Sequence, residues 1–490
     1  MTARRVVVVG AGPGGLAAAQ SALAAGARVT LVDAAGRPGG QYHRMPPPPL
    51  RGPRPDPLQH GWAAYEKRRR RVLGHPRCVW SPDTSVWALE RTEPGAAEGP
   101  PLVHVVRGPV DGAGRMREVL APDALVLAPG AHDRVLPFPG WELPGVFTAG
   151  AAQALAKGER VAVGERVLVA GTGPFLLPVA SSLLEAGAGV LEICEANGPG
   201  TLARGWGRRP WELTAAGGKA GELLGHAVRL ARHRVPFRTG RTVVEARGEG
   251  RVEEVVTAAV RADWSVVPGS ERVVRADAVC VSHGFTPQLE LPVAAGCALR
   301  GEGGVERFVA VDGDQLTTCP GVYAAGEVTG VAGAPAARAE GALAGWLAGG
   351  GDPGAAPLRP LRRARDQGRA FARRLAAAHP TGAAWPGWLR PDTVICRCEE
   401  TRYGALTRAA GDPTGADPRV TKLTTRAGLG PCQARMCGPT VAELTARPGP
   451  SAPGPPEPTP HRRPLAQPIR LGELAAGPEG GPDTPASPAS

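Results

Sequence analysis

Unbroken apolar runs, rather than alternating ones, dominate the early part of the chain. Residues 6–9 are four valines in succession, which predicts a strand buried on both faces, as in a parallel sheet with helices packed on it. A helical pattern over 16–25 and a second apolar strand over 28–32 follow. A Pro-rich loop is expected at 45–57 and a helical pattern from Gln59. Strand-like stretches come at 78–80, 86–89, 102–106 and 124–128. The strand–turn–helix–strand pattern then recurs at 166–170, 176–186 and 189–195. Further strands are predicted at 277–282 and 321–325 and a helix at 334–347. Beyond them the composition turns Pro-, Arg- and Ala-rich over 349–389, predicting a linker with a helix near 361–377. A compact module follows over 393–446, and the last forty residues, dominated by Pro, Gly and Ser, read as largely disordered. Alternating strands and helices give an α/β fold class.

The turn after the first strand, Val9-Gly10-Ala11-Gly12-Pro13-Gly14-Gly15, carries GxGxxG between a strand and a helix. Gly10 allows the tight turn, Gly12 lets backbone approach a pyrophosphate, and the glycines at 14 and 15 let the helix pack on the strand. The helix N-terminus, with Pro13 at its start, then favours an anion. Asp33 ends the next strand, where a carboxylate reaches a ribose hydroxyl. The second unit reads Gly171-Thr172-Gly173-Pro174-Phe175-Leu176, with Glu195 at the end of its next strand. Leu176 replaces the third glycine, so helix and strand must part or the turn must shift. Glu195 suits a ribose rather than a 2′-phosphate. Two readings stay open here: a bound NAD(H) or other adenine nucleotide, or a structural domain that has lost its ligand. Tandem dinucleotide-binding domains are the simplest organisation, with 1–135 and 285–350 forming one, 136–284 the other, 351–390 a linker, 391–447 a separate module and 448–490 a tail.

Composition changes this picture little. The net charge of +12 could suggest nucleic acid, but arginine, Gly (69) and Pro (53) are inflated along the whole chain. The densest basic run, 67–71, reads as a solvated helix face without interleaved aromatics, so no nucleic-acid partner is expected. The start of the chain leaves no room for a signal peptide, and no run is apolar enough to span a membrane. A cytoplasmic location is expected. The nine cysteines are no disulfide framework: five are scattered singly and four cluster late in the chain. The second domain holds no CxxC, which excludes disulfide reduction by such a pair, and no histidine–acid couple declares itself, so catalytic residues stay unassigned. His132 and His283 read as structural.

The clustered cysteines are Cys396 and Cys398, one residue apart, and Cys432 and Cys437, four apart. Four thiolates suit an iron–sulfur cluster or a tetrahedral zinc, but C-x-C is atypical for zinc. Loop N–H groups after Gly428 and the start of a helix at 439–446 would lower thiolate pKa values. These residues favour a [2Fe–2S] centre over zinc or uncommitted thiols.

Gly39-Gly40-Gln41, Ala128-Pro129-Gly130 and Gly321-Val322-Tyr323-Ala324-Ala325-Gly326-Glu327, taken with the first glycine loop, resemble the two-dinucleotide-domain flavoproteins that include thioredoxin reductase. The resemblance implies FAD, with Gly40, Gln41, Ala128, Gly130 and Gly326 beside it and Glu327 hydrogen-bonded near its ribityl–phosphate, where Asp is usual. Val394-Ile395-Cys396-Arg397-Cys398-Glu399-Glu400 and Gly430-Pro431-Cys432-Gln433-Ala434-Arg435-Met436-Cys437-Gly438-Pro439 resemble the bacterioferritin-associated-ferredoxin type of [2Fe–2S] domain. The four-residue gap of the second pair departs from that domain's usual two. It matches the version fused to the large subunits of opine oxidases, hydroxyproline dehydrogenases and hydrogen cyanide synthase. The stretches 171–180 and 136–141 resemble the same group, in which Leu176 is ordinary. So does 463–474, for which the group implies an extended arm near 460–475, packed on a partner or on the body of the protein.

In that group a partner similar to D-amino-acid oxidases oxidises the amine. No stretch of this chain remains for such a substrate domain. The resemblance therefore implies the FAD- and iron–sulfur-containing subunit of an amine or amino-acid dehydrogenase or oxidase. Its partners would be a small ferredoxin-like subunit together with a D-amino-acid-oxidase-like FAD subunit, the complex being at most peripheral to the inner membrane. The rival readings are an NAD(P)H-dependent reductase that feeds its own cluster and a non-catalytic scaffold.

Overall fold

The computed structural model describes residues 3–47, 59–91, 99–209, 212, 217–301, 307–411, 418–446, 463 and 465–475. Most of the stretch expected as a Pro-rich loop and most of the tail lie outside the described residues.

The valine run becomes the middle strand, Arg5–Val9, of a five-stranded parallel sheet ordered Val322–Ala324, Ala124–Leu127, Arg5–Val9, Arg28–Val32, Cys78–Ser81. Its side chains split between two faces, as strand geometry requires. Val6 and Val8 pack with Leu16, Ala19, Leu31 and Ala344 beneath the helices Pro13–Ala24 and Ala334–Ala348. Val7 and Val9 pack instead with Val86, Val103 and Val105 of a three-stranded antiparallel sheet, Thr84–Glu90, Leu102–Arg107 and Met116–Leu120. The second face is thus covered by a sheet, not by helices. The basic run lies on helix Trp62–Leu73, where Glu66 pairs with Arg69 and Arg70.

The second lobe repeats the plan. Its parallel sheet runs Phe237–Thr239, Gly189–Glu195, Arg166–Gly171, Ala278–Ser282, Val146–Thr148. The antiparallel strands Arg241–Arg247, Glu254–Ala259 and Arg272–Arg275, which the apolar pattern did not mark, add a second small sheet. A two-stranded ribbon, Ala131–Asp133 against Phe285–Pro287, marks where the chain crosses between lobes. Both lobes are Rossmann-like α/β units.

The segment read as a linker is packed structure. Its helix spans Leu358–Ala378, and Trp385 and Trp388 beyond it are buried, Trp388 stacked on Trp264. The four clustered cysteines lie in the small unit that follows, a hairpin of Val394–Cys396 and Thr401–Arg402 with helices Tyr403–Gly411, Pro418–Thr425 and Gly438–Thr445. Among the described residues no helix is long and apolar enough to cross a membrane.

Candidate functional site

The first glycine loop is a cradle of bare backbone at the head of helix Pro13–Ala24. Gly10 has φ +97°, and a Cβ there would stand 2.2 Å from the Ala128 carbonyl oxygen. A Cβ on Gly15 would stand 1.7 Å from the carbonyl oxygen of Gly10. Gly12 faces open space apart from the Gly40 Cα at 3.9 Å, and Gly40 (φ +59°) closes the cradle from the other side. The helix N-terminus has no side-chain cap, so its first N–H groups stay available to an anion. Gly14 packs tightly on the Ala337 carbonyl, which brings helices Pro13–Ala24 and Ala334–Ala348 together. Asp33 holds the loop: its carboxylate accepts from the Ala11 N–H at 2.5 Å and the Ala35 N–H at 2.8 Å. Burial raises its pKa, against the pull of those N–H groups and Arg44. This cradle fits the pyrophosphate of a dinucleotide, with Asp33 beside the ribose position.

Of the other residues expected there, Gln41 is exposed and accepts from Arg44 Nε at 2.9 Å, and Gly130 (φ +86°) has open space above it. Glu327 accepts from the Gly333 N–H at 3.0 Å, capping helix Ala334–Ala348. The Gly326 N–H instead donates to Glu340 at 2.9 Å. Glu340 is fully buried, bonded also to Thr329 and paired with Arg369, and carries no motif that would single it out in sequence.

In the second lobe the turn has shifted. Its helix, Leu176–Glu185, starts only after tight bonds from Leu176 N to Gly173 O and from Leu177 N to Pro174 O, both 3.2 Å. Leu176 is fully buried among Val167, Val179, Leu183 and Ile193, filling the gap a glycine would have closed. Glu195 is 1 % exposed and its carboxylate is fully engaged. It accepts from Thr172 Oγ1 at 2.8 Å, Gly173 N at 2.7 Å and Asn197 N at 2.9 Å, and His379 Nδ1 lies 3.1 Å away. Burial would raise the Glu195 pKa, but His379 and these N–H groups outweigh it and hold it low. Asn197 Nδ2 also donates to the Pro380 carbonyl at 3.2 Å. The end of helix Leu358–Ala378 therefore sits over the carboxylate that a ribose would need. Asp33 has no such cover and stays partly exposed.

The cysteine unit brings all four thiols into mutual influence. Cys396 and Cys437 are buried, Cys432 half-buried and Cys398 exposed. The thiol of Cys437, followed by the N–H groups of Gly428, Glu399 and Cys398, lowers the Cys396 pKa to about 5. Cys437 is driven up by the same contact and by burial. Cys398 is raised by burial and by its neighbour Cys432. Cys437 thus acts on Cys396 and Cys432 on Cys398 across the two sequence motifs, and Cys437 also feels the charge of Cys432 and Cys398. Four thiolates on one small unit suit an iron–sulfur cluster or a tetrahedral zinc. Gly430 permits this closeness, because a Cβ there would stand 2.2 Å from Cys398 Cβ.

Docking of this unit is specific. Trp141 Nε1 donates to the Val394 carbonyl at 2.5 Å, and the Arg397 guanidinium lies 4.2 Å over the Trp141 ring. Arg134 pairs with Glu443 at 2.8 Å. Arg435, two residues before Cys437, pairs with buried Glu290 at 3.0 Å, just past the inter-lobe ribbon. Arg435 also donates to the Ala466 carbonyl at 2.6 Å, and the Ala466 N–H donates to Trp87 O at 2.7 Å. Arg115 forks onto Glu473 at 2.7 and 2.8 Å. The described part of the arm thus lies on the body of the protein. His132 and His283 belong to this junction. His283 Nδ1 accepts from the Leu136 N–H, and burial lowers the pKa of both rings, that of His283 to about 3.

The sequence profile of the pyridine nucleotide-disulphide oxidoreductases matches residues 4–341. The chain is 33 % identical to one of the opine oxidase subunits of Rhizobium meliloti, covering 96 % of this chain and 87 % of that one. It is 32 % identical to hydrogen cyanide synthase subunit HcnB of Pseudomonas aeruginosa, covering 88 % of this chain and 90 % of the other. Among solved structures, L-proline dehydrogenase from P. horikoshii superposes over 97 % of this chain and 80 % of its own with a TM-score of 0.63 at 19 % identity, a likeness of fold.

Proposed function

The chain belongs to the pyridine nucleotide-disulphide oxidoreductase family and is a flavin oxidoreductase of amino-acid dehydrogenase type, and we propose that it is the FAD- and iron–sulfur-containing subunit of a multi-subunit dehydrogenase or oxidase of amines or amino acids. It handles electrons delivered by a partner flavoprotein similar to D-amino-acid oxidases, with a small ferredoxin-like subunit completing a cytoplasmic complex. The substrate class is a secondary amine or small amino acid: hydroxyproline, proline, an opine, sarcosine or glycine.

The observation that carries this reading is the gathering of Cys396, Cys398, Cys432 and Cys437 in one small unit, each thiol close enough to act on its neighbours' charge, held by Arg435 and Glu290 beside the inter-lobe ribbon. Cys396, Cys398, Cys432 and Cys437 would hold a [2Fe–2S] centre. Gly10, Gly12, Gly14 and Gly15 would seat the FAD pyrophosphate at the start of their helix, with Asp33 on the adenosine ribose and Glu327 near the ribityl chain. FAD, when bound, supplies an acceptor that takes electrons in pairs and releases them singly, which suits a one-electron centre nearby. Arg435 and Arg463 place positive charge near Cys432 and Cys437, favourable to an anionic cluster. The covered Glu195 weighs against NAD(P)H as the electron source.

An anaerobic visible spectrum of the chain, co-expressed with its neighbouring subunits, tests the reading. Flavin bleaching by proline, hydroxyproline, sarcosine or an opine, only with the partner present and not by NADH, is expected. Bleaching by NADH alone would overturn it in favour of a reductase. A redox-silent flavin in the assembled complex would reduce the chain to a scaffold.

A further inference from the structure

Away from both glycine loops and the cysteines, three side chains from the two lobes converge. His60 lies just ahead of helix Trp62–Leu73 in the first lobe. Glu222 and His226 lie on helix Gly217–Arg232 in the second, four residues apart and therefore on one face. One donor atom from each lies within 4.8 Å of the other two, and His60 Nε2 stands 3.8 Å from Glu222 Oε1. The two imidazoles meet edge to face at 5.2 Å.

His226 is 8 % exposed, and its two nitrogens are not equally served. Nδ1 bonds Ser181 Oγ at 2.9 Å, which orients the ring as outer partners do for metal-bound histidines. Nε2 is buried and has no partner. An unpaired buried polar atom is costly, and a cation at this point would remove that cost. His60 is held through its carbonyl, 3.1 Å from His43 Nε2. The side chains of His60 and Glu222 are about one-third exposed, so one side of the cluster opens to solvent.

We propose that His60, Glu222 and His226 form a divalent metal site of the zinc class that joins the two lobes, with a fourth coordination position open to solvent. Zinc binds imidazole nitrogen and carboxylate oxygen at about 2.0–2.2 Å. Donors on a tetrahedral ion at that distance stand about 3.4 Å apart, so separations here close by at most about 1.4 Å. Two imidazoles favour zinc, copper or nickel over calcium and magnesium. Burial, followed by His60, Arg229 and Lys157, lowers the His226 pKa to about 4, so its lone pair is free at neutral pH. Of the nearby cations, Lys157 donates to the Tyr42 carbonyl at 3.2 Å and Arg229 is paired with Glu185. Glu222 supplies the compensating negative charge.

The test is zinc titration of the purified, cofactor-loaded protein after chelator treatment, with bound zinc counted per chain by elemental analysis. His60→Gln and Glu222→Gln are compared with the unaltered chain, so zinc at the cysteines cancels in the difference. Both positions are partly exposed, and an unchanged flavin spectrum checks folding. The expected result is one additional equivalent in the unaltered chain, bound roughly 100-fold more weakly in each variant. A zinc-dependent rise in melting temperature should accompany it in the unaltered chain alone. Equal zinc in all three proteins, or no such equivalent in the unaltered chain, would overturn the site.

Discussion

His283 is one buried group expected to add to the acid sensitivity of the fold. It is a neutral acceptor for the Leu136 N–H, with a pKa lowered by burial to about 3 against an ordinary 6.5. Between those values the unfolded chain binds the proton and the folded one does not. Stability from the neutral ring is therefore complete above about pH 6.5 and falls as pH drops toward 3. At pH 4.5 the loss is about 2–3 kcal/mol. His283→Asn keeps an acceptor without the titration, so its denaturation midpoint should change less between pH 7 and 4.5 than that of the unaltered chain. An equal change would assign the acid sensitivity elsewhere. Gly430 is a second decisive residue. Gly430→Ala places a methyl group against Cys398 Cβ; on the proposed [2Fe–2S] reading, its iron content should fall well below that of the unaltered chain while flavin absorption is kept. Full iron content would show that the loop yields without disturbing the thiols.

At the scale of elements, the helix pair Pro13–Ala24 and Ala334–Ala348 accounts for some of the inflated glycine. A Cβ on Gly341 would stand 2.0 Å from the Gly14 carbonyl oxygen, and one on Gly345 2.0 Å from that of Ala18. The two backbones touch because both surfaces are stripped of side chains. Gly345→Val should lower stability by about 1–3 kcal/mol through overpacking, read as a lower urea midpoint. A midpoint equal to that of the unaltered chain would mean that the helices separate freely. Helix Leu358–Ala378 shows the opposite relation of composition to structure. Its Arg- and Ala-rich sequence predicts a helix within a linker, yet Ala378 abuts Gly205, Phe371 lies against Trp206, and His379 reaches Glu195. Nothing local in 361–377 announces these partners, because each lies in the other lobe's sequence.

Over the whole molecule, the C-terminal arm ties the cysteine unit to the first lobe. Arg115 holds Glu473, Arg435 holds the Ala466 carbonyl, and Arg463 reaches Gln433 in the loop between Cys432 and Cys437. Glu473→Ala should loosen the arm and, through it, that loop. Deuterium uptake should rise over 465–475 and over 432–437 together. A rise in the arm alone would separate the two.

Some features were legible from residues because their physics is local. A glycine loop between an apolar strand and a helix declares its backbone geometry, and clustered cysteines mark where metal or redox chemistry is to be expected. Gly10, Gly12, Asp33 and the four thiols stand in turns and strand ends as their spacing implies. Tertiary structure alone decided what distant segments do to one another. It placed His379 over Glu195, brought Cys437 into the neighbourhood of Cys396, and buried Glu340 beneath Gly326. It also brought His60 to Glu222 and His226, which in sequence offer only a four-residue spacing on a helix. Burial and cross-lobe contact are properties of the folded chain, and no window of neighbouring residues contains them.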